Sequence, residues 1–514
     1  MRQLTALDAQ FLHAETPTTT THVAGLAILD PAGCPGGTLT REALVDRLRE
    51  RLHLAPVLSL RLAEVPFGLG RPYWEEVADL DVAGHVRELT LPAPGDDRQL
   101  ARKVARLHER RLDRGRPLWE MCLIHGLAGG RVALYAKIHH CALDGVTGAE
   151  TLAAMLDLTP EAPETSKAPK APKAHRAHRA HGASRTPEAE AAPGQGTLAV
   201  PEGEETLGPL AMLTAAAGRS VTYPGRALRA LGRMMTDLDA IPGVSALPGA
   251  RTVAETARTI AGNQAELPEL PPLTAPRTPF NGPISAKRRL AYGSIPLTEV
   301  RHVAKSFGLS VNDVVMTVCA SALRSWLREH HALPDRPLVA AVPVSVRTAA
   351  ARAGDVVGNR LSVMVTQLPT DVADPLERLR AMGATMRVAK RRFAESPATW
   401  LDGLSTLLPT VLTSVATPAI SRLASVTLPP INLIVSNVPG PQLPLYLCGA
   451  RLLAYHPVSA LSDMSGGLNI TCFSYDGSLD FGVLACPDRV KDVWRLMDHL
   501  REAMEELAAL DPRS

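Results

Sequence analysis

The sequence predicts a mixed α/β fold that is built from two domains. The chain has 514 residues, which exceeds the size that a single hydrophobic core usually supports. Apolar residues make up 46% of the chain and charged residues 21%, so enough side chains are available for a large core. Helical, strand and turn signals alternate up to residue 160 and again beyond residue 279. This alternation favours two mixed sheets covered by helices over a helical bundle.

The domain boundaries follow from changes in composition along the chain. We predict an N-terminal domain over residues 1–160, a linker over 161–206, a helical connector over 207–278 and a C-terminal domain over 279–514. The linker carries Lys-Ala-Pro and His-Arg-Ala repeats followed by an acidic, Pro/Gly-rich tract. Because such a sequence buries too little apolar surface to offset its chain entropy, we predict a disordered tether, with contact to an anionic lipid or nucleic acid as the alternative.

Charge and cysteine usage limit the class of protein. The 55 basic and 52 acidic residues nearly cancel, giving a net charge of +3, so nothing in the composition calls for a nucleic-acid partner. Seven cysteines without a CxxC pair indicate buried thiols in a reducing compartment. The N-terminus lacks a basic segment followed by an apolar one, so we expect a cytoplasmic protein that is not secreted. The uncharged stretch Gly403–Ser421 is interrupted by Pro409 and Pro418, which favours a buried or interfacial helix pair over a membrane span.

The N-terminal domain opens with a short helical segment, Leu7–Phe11, and a strand, Val23–Leu29. Thr40 is positioned to cap an amphipathic helix that runs to Leu52, and a second amphipathic helix covers Leu100–Leu112. The strand is rich in apolar residues and the two longer helices are amphipathic, as expected for elements that share a core.

A β-hairpin is predicted to present two adjacent histidines. Pro117-Leu118-Trp119 stops the preceding helix and opens the strand Trp119–Ile124, which pairs across a Gly-Gly turn with Arg131–Ile138. We interpret Pro117, Leu118 and Trp119 as core anchors that position the histidine strand.

His139 and His140 follow the end of that strand, and Asp144-Gly145 then turns the chain into a helix. A rigid strand end suits a catalytic base, because it holds the imidazole in place while leaving it open to a substrate. Structural histidines and metal ligands are the alternatives, and no HExxH or CxxC pattern stands nearby to complete a metal site. Gly145 permits a turn that a side chain would crowd.

The connector contains an amphipathic helix with a basic flank. The apolar stripe comprises Leu228, Leu231, Met235 and Leu238, and the flank comprises Arg226, Arg229 and Arg233. Two interpretations remain open: an interfacial helix on an anionic membrane, or a helix packed on the domain with its arginines in water.

The C-terminal domain is predicted to contain alternating strands and helices, with a hairpin at Asp476-Gly477. Asn312 and Asp313 lie where they could cap a long helix, and Ser436–Pro441 is expected to form a rigid turn. The predicted strands are Arg288–Ile295, Leu338–Val346, Leu361–Leu368, Val426–Val435, Leu468–Tyr475 and Ser478–Ala485, and the helices are Leu297–Phe307, Val311–His330 and Val490–Leu510.

Several motifs together carry a family resemblance. They are Leu7-Asp8-Ala9 with Phe11, Pro117-Leu118-Trp119, the HHxxxDG sequence from His139 to Gly145, Asn312-Asp313-Val314-Val315, Gly358-Asn359-Arg360, and Ser436-Asn437-Val438-Pro439-Gly440-Pro441. HHxxxDG is the signature of the chloramphenicol acetyltransferase-like superfamily. In this order the motifs resemble the bacterial wax ester synthase/diacylglycerol acyltransferase family, over most of the chain outside the linker.

The resemblance implies two chloramphenicol acetyltransferase-like domains that form a pseudo-dimer with a central tunnel. Acyl-CoA would be the co-substrate and diacylglycerol or a fatty alcohol the acceptor, with no metal and no bound cofactor. His140 would be the general base, with His139 and Asp144 in support. Further implied roles are substrate or oxyanion binding for Asn312 and Gly145, and structural positions near the site for Pro117, Leu118, Trp119, Asn437, Pro439 and Gly440.

The resemblance also implies peripheral contact with a membrane or a lipid droplet. Two other functions remain as alternatives, a condensation enzyme that uses carrier-protein thioesters and a catalytically silent lipid-binding protein. The sequence contains no GxSxG nucleophile elbow, P-loop or dinucleotide fingerprint, so an acyl-serine route has no support.

Overall fold

A computed structural model describes residues 1–143, 148, 151, 154–160, 208–221, 223–262, 267–271, 273–345, 361–395, 410–427 and 429–510. Asp144, Gly145, the linker 161–206 and the motif Gly358-Asn359-Arg360 lie outside the described residues. The division of the chain into 1–160, a linker, a connector and 279–514 therefore stays a prediction.

The described chain forms two six-stranded mixed sheets and one small three-stranded sheet, with covering helices, which confirms the predicted fold class. The helices are α1 Ala6–His13, α2 Arg41–Arg51, α3 Asp97–His108, α4 Pro209–Val221, α5 Tyr223–Thr236, α6 Ala250–Ile260, α7 Leu297–Ser306, α8 Val311–Glu329, α9 Pro375–Glu395, α10 Thr410–Thr427 and α11 Val493–Ala508. The strands are β1 Arg2–Gln3, β2 His22–Asp30, β3 Leu60–Ala63, β4 Tyr73–Glu76, β5 Val86–Thr90, β6 Trp119–His125, β7 Val132–His139, β8 Arg289–Pro296, β9 Leu338–Ser345, β10 Leu361–Leu368, β11 Leu433–Pro439, β12 Tyr446–Leu447, β13 Ala450–Val458, β14 Leu468–Tyr475 and β15 Ser478–Ala485.

One of the two large sheets contains strands from both halves of the chain. The first sheet has the order β12-β13-β2-β7-β6-β5, and the second has the order β10-β9-β11-β14-β15-β8. Thus β12 and β13, which come late in the sequence, complete the sheet that the N-terminal half begins. β13 runs antiparallel to β2, with Val458 opposite Ala24 and Arg451 opposite Asp30. This pairing ties the two halves of the molecule together along a ladder of backbone hydrogen bonds.

Several predicted elements are confirmed because local chemistry decides them. The Thr40 side chain accepts the Ala43 N–H at the start of α2. β14 and β15 form the hairpin expected at Asp476-Gly477, and both turn residues have positive φ, 39° and 81°. Positive φ at both central residues is what a type I′ turn requires.

The region between residues 403 and 441 corrects two predictions. The strand predicted over Val426–Val435 is wrong up to Asn432, because α10 continues to Thr427 and β11 begins only at Leu433, after Pro429 and Pro430. The rigid turn predicted from Ser436 is wrong over its first four residues, because β11 includes them in a parallel ladder with β14. Within the described part of Gly403–Ser421, α10 continues through Pro418 as one helix.

The connector helices carry exposed apolar side chains. Leu228 is 69% exposed and Leu231 is 47% exposed on α5, while Ala230 between them is buried. Arg229 and Arg233 are exposed on the same helix. The packed-helix interpretation therefore does not account for Leu228 and Leu231.

Among the described residues, no single helix is long and apolar enough to cross a membrane. The pair α7 and α8 meets the length and composition test together but is bent by 104° between the two helices. Both helices contribute buried residues to the core of the C-terminal half.

Candidate active site

An apolar cavity of about 880 Å³ lies between the two halves. From the N-terminal half it is lined by α1, by residues of the β2–β7–β6 sheet and by residues of α2. From the C-terminal half it is lined by α10, β11, β13 and the loop Ser459–Ser465. A cavity of this size and character matches sites that enclose an organic ligand of drug size or larger.

His140 lies in the wall of this cavity. Its backbone N–H donates to the carbonyl of Thr21 at 2.8 Å, which extends the β2–β7 ladder by one residue beyond β7. Its imidazole stacks on the ring of Phe11, with centroids 4.2 Å apart and planes 4° apart. Phe11 thus packs against one face of the imidazole, and the sheet holds the backbone of His140.

Helix α1 positions Phe11, and the C-terminal half braces that helix. Thr5 and Asp8 form a capping box at the helix start. Thr417 of α10 donates its hydroxyl proton to the Gln10 side-chain oxygen at 3.1 Å, and Thr413 is hydrogen-bonded to His13 at 2.9 Å. The aromatic support of His140 therefore depends on both halves of the chain.

His139 is buried, and the described lining of the cavity does not include it. Burial, with smaller effects of Arg114 and His140, lowers the pKa of His139 to about 3, so the ring is neutral near pH 7. The Cys141 N–H donates to Nδ1 at 3.1 Å, so the proton of the neutral ring is on Nε2. Nε2 lies 3.0 Å from the Thr21 hydroxyl oxygen, which accepts from it while the hydroxyl donates to the Phe11 carbonyl. His139 thereby connects β7 to α1.

The Pro117-Leu118-Trp119 motif supports the histidine strand. The Leu118 carbonyl accepts the His139 N–H at 2.9 Å. The Trp119 indole N–H donates to the Leu58 carbonyl at 2.8 Å, and its ring stacks on His85 at 4.3 Å. Trp119 lines the cavity, while Pro117 and Leu118 do not belong to its described lining.

Asn312 lies behind the cavity wall, because the described lining includes Asn437 but not Asn312. The Asn437 amide donates to the Asn312 side-chain oxygen at 3.3 Å. Asn312 does not cap α8, since Ser310 is the cap and Asp313 completes a capping box with it. Asp313 also pairs with Lys390 at 2.6 Å. The expected capping role thus holds for Asp313 and is wrong for Asn312.

Gly440 and Pro439 shape the end of β11. Pro439 lines the cavity. A Cβ on Gly440 would lie 2.3 Å from the ring of Phe473 and 2.4 Å from the Ser474 carbonyl oxygen, so only glycine fits there. Phe473 also lines the cavity.

Other cavity-lining residues were not singled out from the sequence, notably Thr21, Gly25, Ala27 and Tyr455. Local sequence gives no signal for them, because Thr21, Gly25 and Ala27 on or next to β2 and Tyr455 on β13 meet His140 only through sheet pairing with distant parts of the chain. Across the described residues, we find no group of three or more His, Cys, Asp or Glu side chains that could hold a metal ion.

Comparisons with known proteins identify the family. Residues 4–315 match the model of the wax ester synthase/diacylglycerol acyltransferase catalytic domain, and residues 357–508 match that of the family's C-terminal domain. A putative diacylglycerol O-acyltransferase of Mycobacterium tuberculosis is 34% identical over 510 residues, covering 99% of this chain and 90% of the relative. A second one from the same organism is 35% identical over 504 residues, covering 98% of this chain and 99% of the relative.

Solved structures agree with the sequence matches. The wax ester synthase/diacylglycerol acyltransferase of Marinobacter aquaeolei VT8 superposes with a TM-score of 0.65 at 28% identity, covering 99% of this chain and 100% of that one. The first condensation domain of the calcium-dependent antibiotic synthetase has a TM-score of 0.53 at 16% identity, covering 99% of this chain and 97% of that one, and shares the fold alone. The chain is therefore an acyltransferase that belongs to the wax ester synthase/diacylglycerol acyltransferase family.

Proposed function

We propose that the protein transfers a long-chain acyl group from acyl-CoA to diacylglycerol, a fatty alcohol or both, giving triacylglycerol or wax ester. The observation that carries this proposal is the His140 ring, which is held against Phe11 in the wall of a large apolar cavity shared by both halves. Such a cavity accepts lipid chains, and it contains a group that can move a proton.

The proposed reaction is a direct transfer with His140 as general base. His140 takes the proton of the acceptor hydroxyl while the oxygen attacks the thioester carbonyl. The tetrahedral intermediate then collapses, the carbon–sulfur bond breaks, and His140 returns the proton to the CoA sulfur. An apolar cavity favours transfer over hydrolysis because it excludes competing water. Acyl-CoA serves as the co-substrate, and the reaction uses no bound cofactor.

The surrounding residues are proposed to position the base and the substrates. His139, neutral and bonded to Thr21, holds the strand end to α1. Asn312 holds the Asn437 amide at the cavity wall, where Asn437 is a candidate for binding the substrate carbonyl. Asp144 and Gly145 are proposed to orient the turn that follows His140.

The direct test is a two-acceptor assay. Purified protein is mixed with palmitoyl-CoA and either diacylglycerol or hexadecanol, and both CoA release and neutral lipid are measured. Formation of triacylglycerol or wax ester in step with CoA release supports the proposal. CoA release without an ester product would contradict it, and so would activity that requires a carrier-protein thioester.

We also propose that the protein is cytoplasmic and rests on an anionic membrane or lipid droplet. Two exposed apolar stripes support this contact. α5 exposes Leu228 and Leu231 beside arginines, and α10 exposes Ile420, Leu423 and Val426 next to the cavity, whose wall includes Ile420. A basic and apolar surface suits an anionic lipid interface, and a stripe at the cavity would shorten the path of a lipid acceptor.

Replacing Leu228 and Leu231 together by Glu is expected to lower binding to phosphatidylglycerol-containing vesicles at least tenfold. Burial of each leucine in lipid contributes about 1.5–3 kcal/mol, and glutamate adds repulsion from the anionic surface. The measurement is co-sedimentation with vesicles of graded anionic content.

The matched control replaces Leu443 and Leu453, which are 42% and 41% exposed outside the connector, by Glu. This pair introduces the same charge and should bind vesicles as the unmodified protein does. Equal loss in both double variants, or loss in neither, would exclude α5 as the lipid-binding surface.

A further inference from the structure

One end of the cavity is polar. The residues there that carry hydroxyl or carboxylate groups are Thr16, Thr19, Ser459, Ser462, Asp463 and Ser465. The segment 284–288 joins the two stretches, because the Ile284 N–H donates to the Asp463 carboxylate at 2.9 Å and the Arg288 guanidinium donates to the Thr18 carbonyl at 2.7 Å. Hydroxyl groups at this end can bind the amides of a long polar ligand.

Helix α3 ends beside the polar end of the cavity. The Lys137 ammonium donates to the carbonyls of Leu107 at 3.1 Å and Arg110 at 2.8 Å, and Lys137 is itself among the residues that line the cavity. His108 Nε2 donates to the carbonyl of Ser459 at 2.9 Å. These bonds fasten the last turn of α3 to the cavity wall.

The outer face of α3 is strongly basic. Residues 97–111 contain six basic and two acidic residues, which leaves a formal charge of +4, while the whole chain carries +3. Arg106 and Arg110 are four positions apart and both are exposed. Side chains at this spacing lie next to each other along a helix and its end. The excess positive charge of the chain is thus concentrated where α3 meets the polar end of the cavity.

The C-terminal half contributes a further cation. The backbone N–H of Arg288 donates to the Glu109 carboxylate at 2.8 Å, which brings the exposed Lys287 close to the end of α3. We call Arg106, Arg110 and Lys287 the basic rim. In the part of the chain that the structure describes, no ion pair includes these three side chains, while the neighbouring carboxylates of Glu120 and Asp97 pair with other residues. The basic rim is therefore available to an anion.

The distance from the basic rim to His140 fits the pantetheine arm of CoA. Lys137 and His140 are three residues apart, or about 10 Å of extended chain. The Lys137 side chain spans roughly 6 Å over its five bonds and ends 2.8 Å from the Arg110 carbonyl. The route from His140 to Arg110 is thus at most roughly 19 Å. The arm between the diphosphate and the sulfur of CoA has about thirteen bonds and extends roughly 16 Å at about 1.2 Å per bond.

We propose that the basic rim binds the phosphate groups of the CoA donor. The nucleotide then stays outside the cavity, and the pantetheine arm follows the polar end inward until the thioester reaches His140. This inference rests on the proposed function and adds to it the binding site of the donor's nucleotide. Arginine suits that role because its planar guanidinium can bind two phosphate oxygens through parallel N–H groups.

The test compares donors with and without the nucleotide. In the double variant Arg106→Gln and Arg110→Gln, kcat/KM for palmitoyl-CoA should fall about tenfold through KM, because two charge-assisted contacts are lost. Palmitoyl-pantetheine carries no nucleotide phosphates and should be used equally well by the variant and the unmodified protein. Isothermal titration calorimetry with CoA, which requires no acyl transfer, should show about tenfold weaker binding. The difference should shrink at high salt, which screens exposed charges.

The matched control replaces Arg380 and Arg387 by Gln, which removes two exposed arginines from α9. It should keep the CoA affinity and the KM of the unmodified protein. Unchanged CoA binding in the rim variant, or an equal loss with palmitoyl-pantetheine, would overturn the site. Weaker binding to anionic vesicles with unchanged CoA binding would also overturn it and identify the rim as a lipid contact. If CoA binding depends on the rim but no ester forms with either acceptor, the proposed function fails and the site stands.

Discussion

His140→Ala is expected to lower kcat/KM for acyl transfer by roughly 10²–10⁴-fold, the range associated with loss of a general base. The alanine leaves the acceptor hydroxyl without a proton acceptor at the end of β7. The cavity should persist, because His140 is fixed by a backbone hydrogen bond to Thr21 that alanine retains. CoA release from palmitoyl-CoA, measured with each acceptor over a range of concentrations, separates lost turnover from lost binding.

The control for this variant is His125→Ala, which removes an imidazole from the end of β6, where it pairs with Glu88 at 2.8 Å. We expect activity within about twofold of the unmodified protein, because surface pairs of this kind contribute little. A His140→Ala protein that keeps more than a tenth of the activity while its thermal midpoint is unchanged would exclude the general-base role. Retained lipid binding together with loss of acyl transfer would support the general-base role.

Much of the local structure could be predicted from the sequence because nearby residues determine it. Thr40 caps α2 through a bond to a residue three positions away, and Asp476-Gly477 adopts the positive φ values that its hairpin requires. The strand that delivers His140 was readable from its own alternation. The strand predicted over Val426–Val435 starts too early because its β-branched residues favour a strand, while Val426 and Thr427 are the last residues of α10 before Pro429.

The supports of the candidate site were not readable in the same way. Thr21 and His139 are hydrogen-bonded across 118 positions of sequence, and Thr413 and His13 across 400. Neither pair has a local signature, because sheet pairing and helix packing bring them together. The insertion of β12 and β13 into the first sheet was unpredictable for the same reason, since a strand pattern gives no information about which sheet the strand joins.

Because β13 belongs to the first sheet and β15 to the second, the two sheets meet where β13 packs against β15. The Tyr455 N–H donates to the Asp480 carboxylate at 2.8 Å, and His456 Nδ1 donates to the Phe481 carbonyl at 3.1 Å. Burial raises the pKa of Asp480 to about 6 and lowers that of His456 to about 4. The next residue, Gly482, faces Pro457 so closely that a Cβ would lie 1.7 Å from the Pro457 carbonyl oxygen. The two sheets can meet here only over a glycine.

Gly482→Ala is therefore expected to lower the thermal unfolding midpoint by at least about 5 °C, which corresponds to an overpacking cost of about 3 kcal/mol. The obstructing atom is a backbone oxygen, so it cannot move aside as a flexible side chain would, and β13 has to shift. Because Pro457 lines the cavity, acyl-transfer activity should fall with the midpoint.

Gly232→Ala makes the same substitution on the exposed face of α5, where no atom lies within 4 Å of the new Cβ. There alanine favours the helix by up to about 1 kcal/mol, so the midpoint should stay constant or rise. Both thermal midpoints are measured by differential scanning calorimetry. Equal midpoints in the two variants would mean that β13 and β15 are farther apart at Gly482 than the structure shows.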